Sequence, residues 1–189
     1  MAMSNEFSKV NDHLFISGAH AVTEQNLKNY GITAVINITL TSPPFPFADL
    51  DYTRILVDDS TLVDITPHFD PVADKINEIK KKGGKTLVHC LCGASRSATL
   101  CLVYLMKYQN MKLRSAYHYL KKRRPVVRPN NGFFSQLIEY EKKCFGKNTV
   151  RMVEVPGAGP DIMIPDIFLK EHNSFAWLTN VKTALSKRQ

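Results

Sequence analysis

The sequence predicts an α/β fold: a central, mostly parallel, twisted sheet of about five strands with helices on both faces. Three observations carry this. Short β-branched runs alternate with stretches of helical period. The run "KTLVHC" (85–90) has no charge after Lys85, as expected of a central strand buried on both faces. A loop of small residues follows it and leads directly into an apolar helix.

Taken in order, "HLFISG" (13–18) is a short strand stopped by Gly18. "VTEQNLKNYG" opens on Thr23, a good N-cap, and closes on Gly31, so it is a short helix. "ITAVINIT" (32–39) is rich in β-branched residues and reads as a buried strand. The prolines of "TSPPFPFADL" make a loop. "YTRILV" (52–57) is the next strand, ending at Asp58 and Asp59. Beyond a polar loop, Phe69, Val72, Ile76 and Ile79 recur at helical spacing until Gly83 and Gly84. Residues 97–109 form a strongly apolar helix. Leu113, Ala116, Tyr117 and Leu120 mark another, broken by Pro125. Phe133, Phe134, Leu137, Ile138 and Tyr140 mark the last, which runs up to Gly146. Residues 149–189 carry Gly and Pro early and weak periodicity later, and read as an extension. There is no internal repeat.

Bulk composition narrows the function classes. The chain has 189 residues, 44% of them apolar, which suits a globular domain of ordinary size with a tail. No run approaches the roughly 18 apolar residues of a membrane-spanning helix. The start, "MAMSNEFSKVNDH", lacks the apolar stretch of a secretory signal. Of four cysteines, Cys90 and Cys92 share one loop, while Cys101 and Cys144 fall in helical patterns. That is no disulfide framework, and it points to a reducing intracellular compartment. The cytoplasm is expected, with the nucleus or an organelle surface left open.

The net charge of +8 admits nucleic acid, anionic lipid or an acidic or phosphorylated partner. Basic residues gather at Lys80, Lys81, Lys82 and Lys85, and at Lys121, Lys122, Arg123 and Arg124 with Arg128. Solvated helix ends explain both clusters. Neither has the interleaved aromatics of a single-strand binder, so no nucleic acid partner is expected. His13, His20, His68, His118 and His172 are scattered, so neither a metal nor another cofactor is implied.

The loop "CLCGASR" (90–96) is where chemistry concentrates. It is short, contains a glycine and runs into a helix N-terminus. Successive backbone N–H groups there can converge on one anion, helped by the helix dipole. Arg96 adds a fork of donors that fits two phosphate oxygens. A thiol at the base of such a cradle is surrounded by positive potential, which favours the nucleophilic thiolate. Beneath a bound phosphate it is placed for in-line attack on phosphorus.

With His89 before it and Ser97 after it, "HCLCGASRS" resembles the HCxxGxSRS loop of the dual-specificity protein phosphatases, within the cysteine-dependent protein tyrosine phosphatase superfamily. "DHLFISG" and "GITAVINIT" look like that family's early strands. "RRPVVRPNNGFFSQLIEYE" (123–141) looks like its later segment, and "FGKNTVRMV" (145–153) is similar to its small atypical members. The resemblance covers about residues 7–155. It implies a phosphatase-like sheet, with a catalytic domain at 7–148 and a C-terminal extension at 149–189.

It also implies roles. Cys90 would be the nucleophile and form a phosphocysteine intermediate. The N–H groups of the loop Leu91, Cys92, Gly93, Ala94, Ser95 and Arg96 would hold the phosphoryl group, with the Arg96 guanidinium stabilising its charge. Ser97 would hydrogen-bond the departing thiolate, His89 would orient the loop and Asn130 would brace it from the side. The leaving oxygen needs a proton from a carboxylic acid placed in a loop after a strand. Asp58 and Asp59 are adjacent candidates, and Asp64 is a weaker third. Counting back from "HFDPVADKI", similar to the family's next helix, favours Asp59.

The implied activity is hydrolysis of phosphotyrosine and phosphoserine or phosphothreonine in proteins, with a MAP-kinase-type kinase as one conceivable partner. A phosphatase for inositol lipids or RNA 5′-phosphates is the alternative. Such substrates call for Lys or His inside the loop, and "LCGAS" is uncharged. A non-catalytic phospho-binding scaffold would be favoured if Cys90, Arg96 or the acid were missing, and all are present. Cys92 departs from the family's usual small residue. It is either a side chain turned away from the pocket or a second thiol able to trap oxidised Cys90. Oligomeric state is open.

Overall fold

The computed structural model describes residues 6–40, 50–155 and 163–169. The chain divides into two units, 1–149 and 150–189. The proline-rich loop and most of the extension read from the sequence lie outside the described residues.

The first unit is built on a five-stranded sheet in the order β1-β2-β5-β3-β4. The strands are β1 (Ser8–Lys9), β2 (Leu14–Gly18), β3 (Ala34–Asn37), β4 (Asp51–Arg54) and β5 (Thr86–Cys90). Only β1 is antiparallel to its neighbour. The charge-free run is indeed the central strand, with Leu87 opposite both Phe15 and Val35. β1 had no sequence signal, since two residues cannot display a period. β4 ends at Arg54, short of the expected Val57. It lies at the sheet edge, and its one neighbour, β3, ends at Asn37, so nothing remains beyond it to pair with.

Alternation along the strands sends side chains to two faces. On one face Phe15, Val35 and Leu87 pack with Leu27 and Ile32, from and just after α1 (Glu24–Tyr30). Thr23 caps α1 by accepting from Asn26 N, and Gly31 closes it at φ 65°. The other face is covered by α2 (Phe69–Lys81), α3 (Arg96–Gln109), α4 (Leu113–Arg123) and α5 (Asn131–Phe145), with α3 packed against β5 and the other three helices. Residues 96–106 of α3 are all buried. Phe133, Phe134 and Tyr104 are fully buried, each burial worth about 1.5–3 kcal/mol. Glu141 of α5, also fully buried, accepts from Leu113 N at the start of α4 (2.9 Å) and from Thr149 N (2.7 Å). It thereby fixes where α4 begins.

An ionic network joins α2 to α3 and α5. Lys107 Nζ lies 2.8 Å from Asp70 and 2.6 Å from Asp74, and the Tyr140 hydroxyl donates to Asp70 at 2.7 Å. Hydrogen bonds from Lys107 and then Tyr140 hold the Asp70 carboxyl down at about 2. A carboxylate depressed in the folded state stabilises above its unfolded pKa, near 3.9, and loses that contribution as pH falls towards 2. Asp70 is 43% exposed, so solvent screens the effect. Urea midpoints should therefore fall between pH 4 and pH 2 for the wild type, and Asp70→Asn should flatten that acid limb. Parallel acid limbs in the two proteins would refute the assignment.

The second unit contains the antiparallel pair β6 (Met152–Glu154) and β7 (Met163–Pro165), followed by a 3₁₀ turn at Asp166–Phe168. Among the described residues, no helix is long and apolar enough to cross a membrane.

Candidate active site

β5 ends at Cys90 and α3 begins at Arg96, so the five residues between them form a tight loop at the carboxyl end of the central strand. In parallel sheets ligands bind at this edge. Gly93 makes the turn possible. Its φ is +68°, and a Cβ there would meet the Ser17 carbonyl and sit 2.7 Å from Arg124 Nη2. Gly93→Ala should cost about 2 kcal/mol or more in stability and weaken oxyanion binding. Thermal unfolding and tungstate titration check both, and a variant with wild-type values in each would refute the constraint.

The Cys90 sulfur is buried at the base of the loop. The Gly93 N–H donates to it at 3.2 Å, and the Ser97 hydroxyl also lies 3.2 Å away. Cys92 is exposed, and both thiols are free. Cys101, behind them in α3, is fully buried, and burial pushes its thiol strongly up towards the inert protonated form.

Arg96 is 7% exposed. Its Nη1 donates to the Val57 carbonyl at 3.1 Å, tying the start of the 58–65 loop to the phosphate loop. Its Nε makes no hydrogen bond and lies 3.6 Å from Asp59 Oδ2. A buried guanidinium N–H with no acceptor is a fitting donor for a phosphoryl oxygen.

The three candidate acids separate by geometry. Asp59 Oδ1 accepts from the Ser95 hydroxyl at 2.6 Å and from Asn130 Nδ2 at 2.9 Å. Asp58 is exposed and, among the described residues, has no hydrogen bond or ion pair. Asp64 is taken up by the turn that follows it, accepting from Thr66 N at 2.9 Å. The loop carrying Asp59 is pinned from α5. Gln136 accepts from Ile65 N and donates to the Val63 carbonyl, each at 2.9 Å.

Asn130 touches more than the phosphate loop. Its N–H donates to Ser95 Oγ at 3.1 Å, its Nδ2 reaches Asp59, and its Oδ1 caps α5 through Phe133 N. His89 is buried, and neither ring nitrogen makes a hydrogen bond. Burial drives its pKa down to about 4, opposed only by the neighbouring Cys90 backbone, so the ring is neutral. His89 lies in β5 with Ser17 and Asn37 as its neighbours in register.

Two side chains contribute more than the motif implies. Ser95 appeared only as a backbone member of the loop, yet its hydroxyl joins Asp59 to Asn130. Arg124, expected among solvated helix-end charges, is instead buried at 5% exposure. Its Nε donates to the Gly93 carbonyl at 2.7 Å and its Nη2 to the Cys92 carbonyl at 2.9 Å. The signal was present in the period. Ala116, Tyr117, Leu120 and Arg124 continue one buried stripe past the end of α4. Among the described residues, no group of three or more His, Cys, Asp or Glu side chains is arranged to hold a metal.

Comparison with known proteins bears on this site. Residues 14–143 match the family described as the dual specificity phosphatase catalytic domain. Human dual specificity protein phosphatase 14 is 44% identical over 165 residues, covering 87% of this chain and 81% of that protein. Human dual specificity protein phosphatase 18 is 45% identical, covering 87% and 86%. The crystal structure of human DUSP28 superposes with a TM-score of 0.70 at 33% identity, covering 72% of this chain and 93% of that one.

Proposed function

This chain belongs to the dual specificity phosphatase family, and from that premise we propose which of its residues carry the reaction. It is a hydrolase of the small atypical kind, removing phosphoryl groups from phosphotyrosine and from phosphoserine or phosphothreonine in proteins through a phosphocysteine intermediate. The catalytic domain is assigned to residues 7–148, with residues 149–189 as an extension.

The observation that carries the assignment of residues is the convergence on one loop of a buried, doubly hydrogen-bonded sulfur, a guanidinium with an unused N–H and one anchored carboxyl group. In the first step Cys90 Sγ attacks phosphorus and the bond to the substrate oxygen breaks. Asp59, protonated, gives its proton to that oxygen, and the dephosphorylated side chain leaves. The Arg96 side chain and the inward N–H groups of residues 91–96 hold the equatorial oxygens. In the second step Asp59, now a carboxylate, takes a proton from water as its oxygen attacks phosphorus. The S–P bond breaks, inorganic phosphate is formed, and the Ser97 hydroxyl stabilises the returning thiolate. Asn130 and Ser95 hold Asp59 at the loop, and His89 supports it from the sheet.

The uncharged loop interior, "LCGAS", favours a lightly charged target over an inositol lipid or an RNA 5′-phosphate. A kinase of MAP-kinase type is one phosphoprotein substrate we propose. Four free thiols suit the reducing cytoplasm. The test is a panel of phosphotyrosine, phosphothreonine and doubly phosphorylated peptides beside phosphoinositides. Peptide kcat/KM should exceed lipid kcat/KM by at least about tenfold, in keeping with differential transition-state binding. Preferred lipid hydrolysis would overturn the substrate class.

A further inference from the structure

Folding a loop so that its N–H groups face an anion turns its carbonyls outward, into buried protein where each needs a donor. The five carbonyls of this loop can be accounted for one by one. Leu91 O accepts from Ala19 N at 3.0 Å, and Ala94 O from Arg128 N at 2.8 Å. Ser95 O accepts from Thr99 N at 2.8 Å and from its hydroxyl at 2.9 Å. The remaining two, Cys92 O and Gly93 O, are both served by the side chain of Arg124. They belong to the peptide units around Gly93, the residue at φ +68° that makes the turn. Three of the four donor residues, Ala19, Thr99 and Arg128, are local or use backbone. Arg124 alone reaches in with a side chain from 31 residues away.

Its own placement is fixed from three directions. The third arm, Nη1, lies 3.2 Å from Ser8 Oγ in β1. The backbone N–H closes α4 by donating to Leu120 O at 2.9 Å, and Pro125 prevents the helix from continuing. The guanidinium is thus a planar bracket between β1, α4 and the outer surface of the loop, buried and held by three hydrogen bonds. A lysine there could supply the charge. It could not address two carbonyls and a hydroxyl in one plane.

We propose that Arg124 is a positioning residue for the reaction: by holding the Cys92 and Gly93 carbonyls outward it keeps the Gly93 N–H on the Cys90 sulfur and the Ala94 N–H turned towards the phosphoryl oxygens. It touches neither substrate nor the reacting atoms. This rests on the function proposed above, with Arg96 as the side chain that contacts the phosphoryl group and Arg124 as the one that shapes its cradle from behind.

The experiment separates cradle geometry from fold stability. Tungstate, a tetrahedral oxyanion, is titrated calorimetrically into full-length wild type, Arg124→Lys and Arg124→Met, with thermal unfolding and p-nitrophenyl phosphate turnover measured in parallel at a temperature where each is folded. Arg124→Met should bind tungstate at least about 30-fold more weakly and lose kcat/KM by a similar factor. Arg124→Lys should fall between it and the wild type, losing about tenfold. Where Arg124→Met fails to fold, Arg124→Lys carries the test. Wild-type tungstate affinity in a folded variant, whatever its melting temperature, overturns the proposal. Failure of the underlying function would look different: wild type would show no turnover, or Cys90→Ser would keep it.

Discussion

Cys90→Ser is expected to abolish turnover, with a loss on the order of 10⁴-fold or more in kcat, while tungstate still binds within a few-fold of wild type. The hydroxyl occupies nearly the same volume and accepts from the same two donors, the Gly93 N–H and the Ser97 hydroxyl. The cradle of N–H groups and the Arg96 side chain are left in place. What disappears is the nucleophile. Sulfur is the far better nucleophile, whereas a serine hydroxyl there would need an adjacent base, and burial makes His89 a weak one. Cys144→Ser, at an exposed thiol outside the loop, should turn over as the wild type does. Retained turnover in Cys90→Ser, together with its loss in Cys92→Ser, would transfer the role to the second thiol. The burial of Cys90 beneath the loop and the exposure of Cys92 argue against that outcome.

Much of this site could be read in the sequence because the phosphate loop is continuous. Residues 89–97 hold the proposed nucleophile, the loop proposed to cradle phosphate, the Arg96 guanidinium and Ser97 in nine consecutive positions, and the loop must be small for its backbone to close. The central strand was equally legible, since a strand covered on both faces cannot carry charge. What escaped depends on residues distant in sequence. Arg124 and Gly93 meet only after β1, β5 and α4 have assembled, and a basic run before a proline looks the same whether it is solvated or buried. Only its place in the 116–117–120–124 stripe distinguished it. Ser95 stands in the loop motif, but its side-chain role could not be read from it, because its hydroxyl partners lie 35 and 36 residues away. β1 and the early end of β4 were missed for a related reason. An edge strand is defined by its neighbour's length, which no local pattern contains.

The choice of acid is the remaining point where adjacent residues compete, and kinetics can separate them. Asp59→Asn is expected to lower kcat/KM on a phosphotyrosine peptide by about 10²–10³-fold. Loss on p-nitrophenyl phosphate should be far smaller, because its leaving oxygen is a weak base that departs without a proton. Tungstate affinity should survive, since asparagine can still accept from Ser95 and stay beside Arg96. Asp58→Asn should alter none of these by more than about twofold, as an exposed carboxylate without partners contributes little. A larger loss in Asp58→Asn would move the acid by one residue and mean that the 58–65 loop rotates on binding substrate. Three tethers oppose such a rotation: Arg96 on the Val57 carbonyl, Ser95 with Asn130 on Asp59, and Gln136 on Val63 and Ile65. They fasten the loop at its start, at Asp59 and at its end, so the carboxyl group we propose as the acid is the one already held at the 90–96 loop.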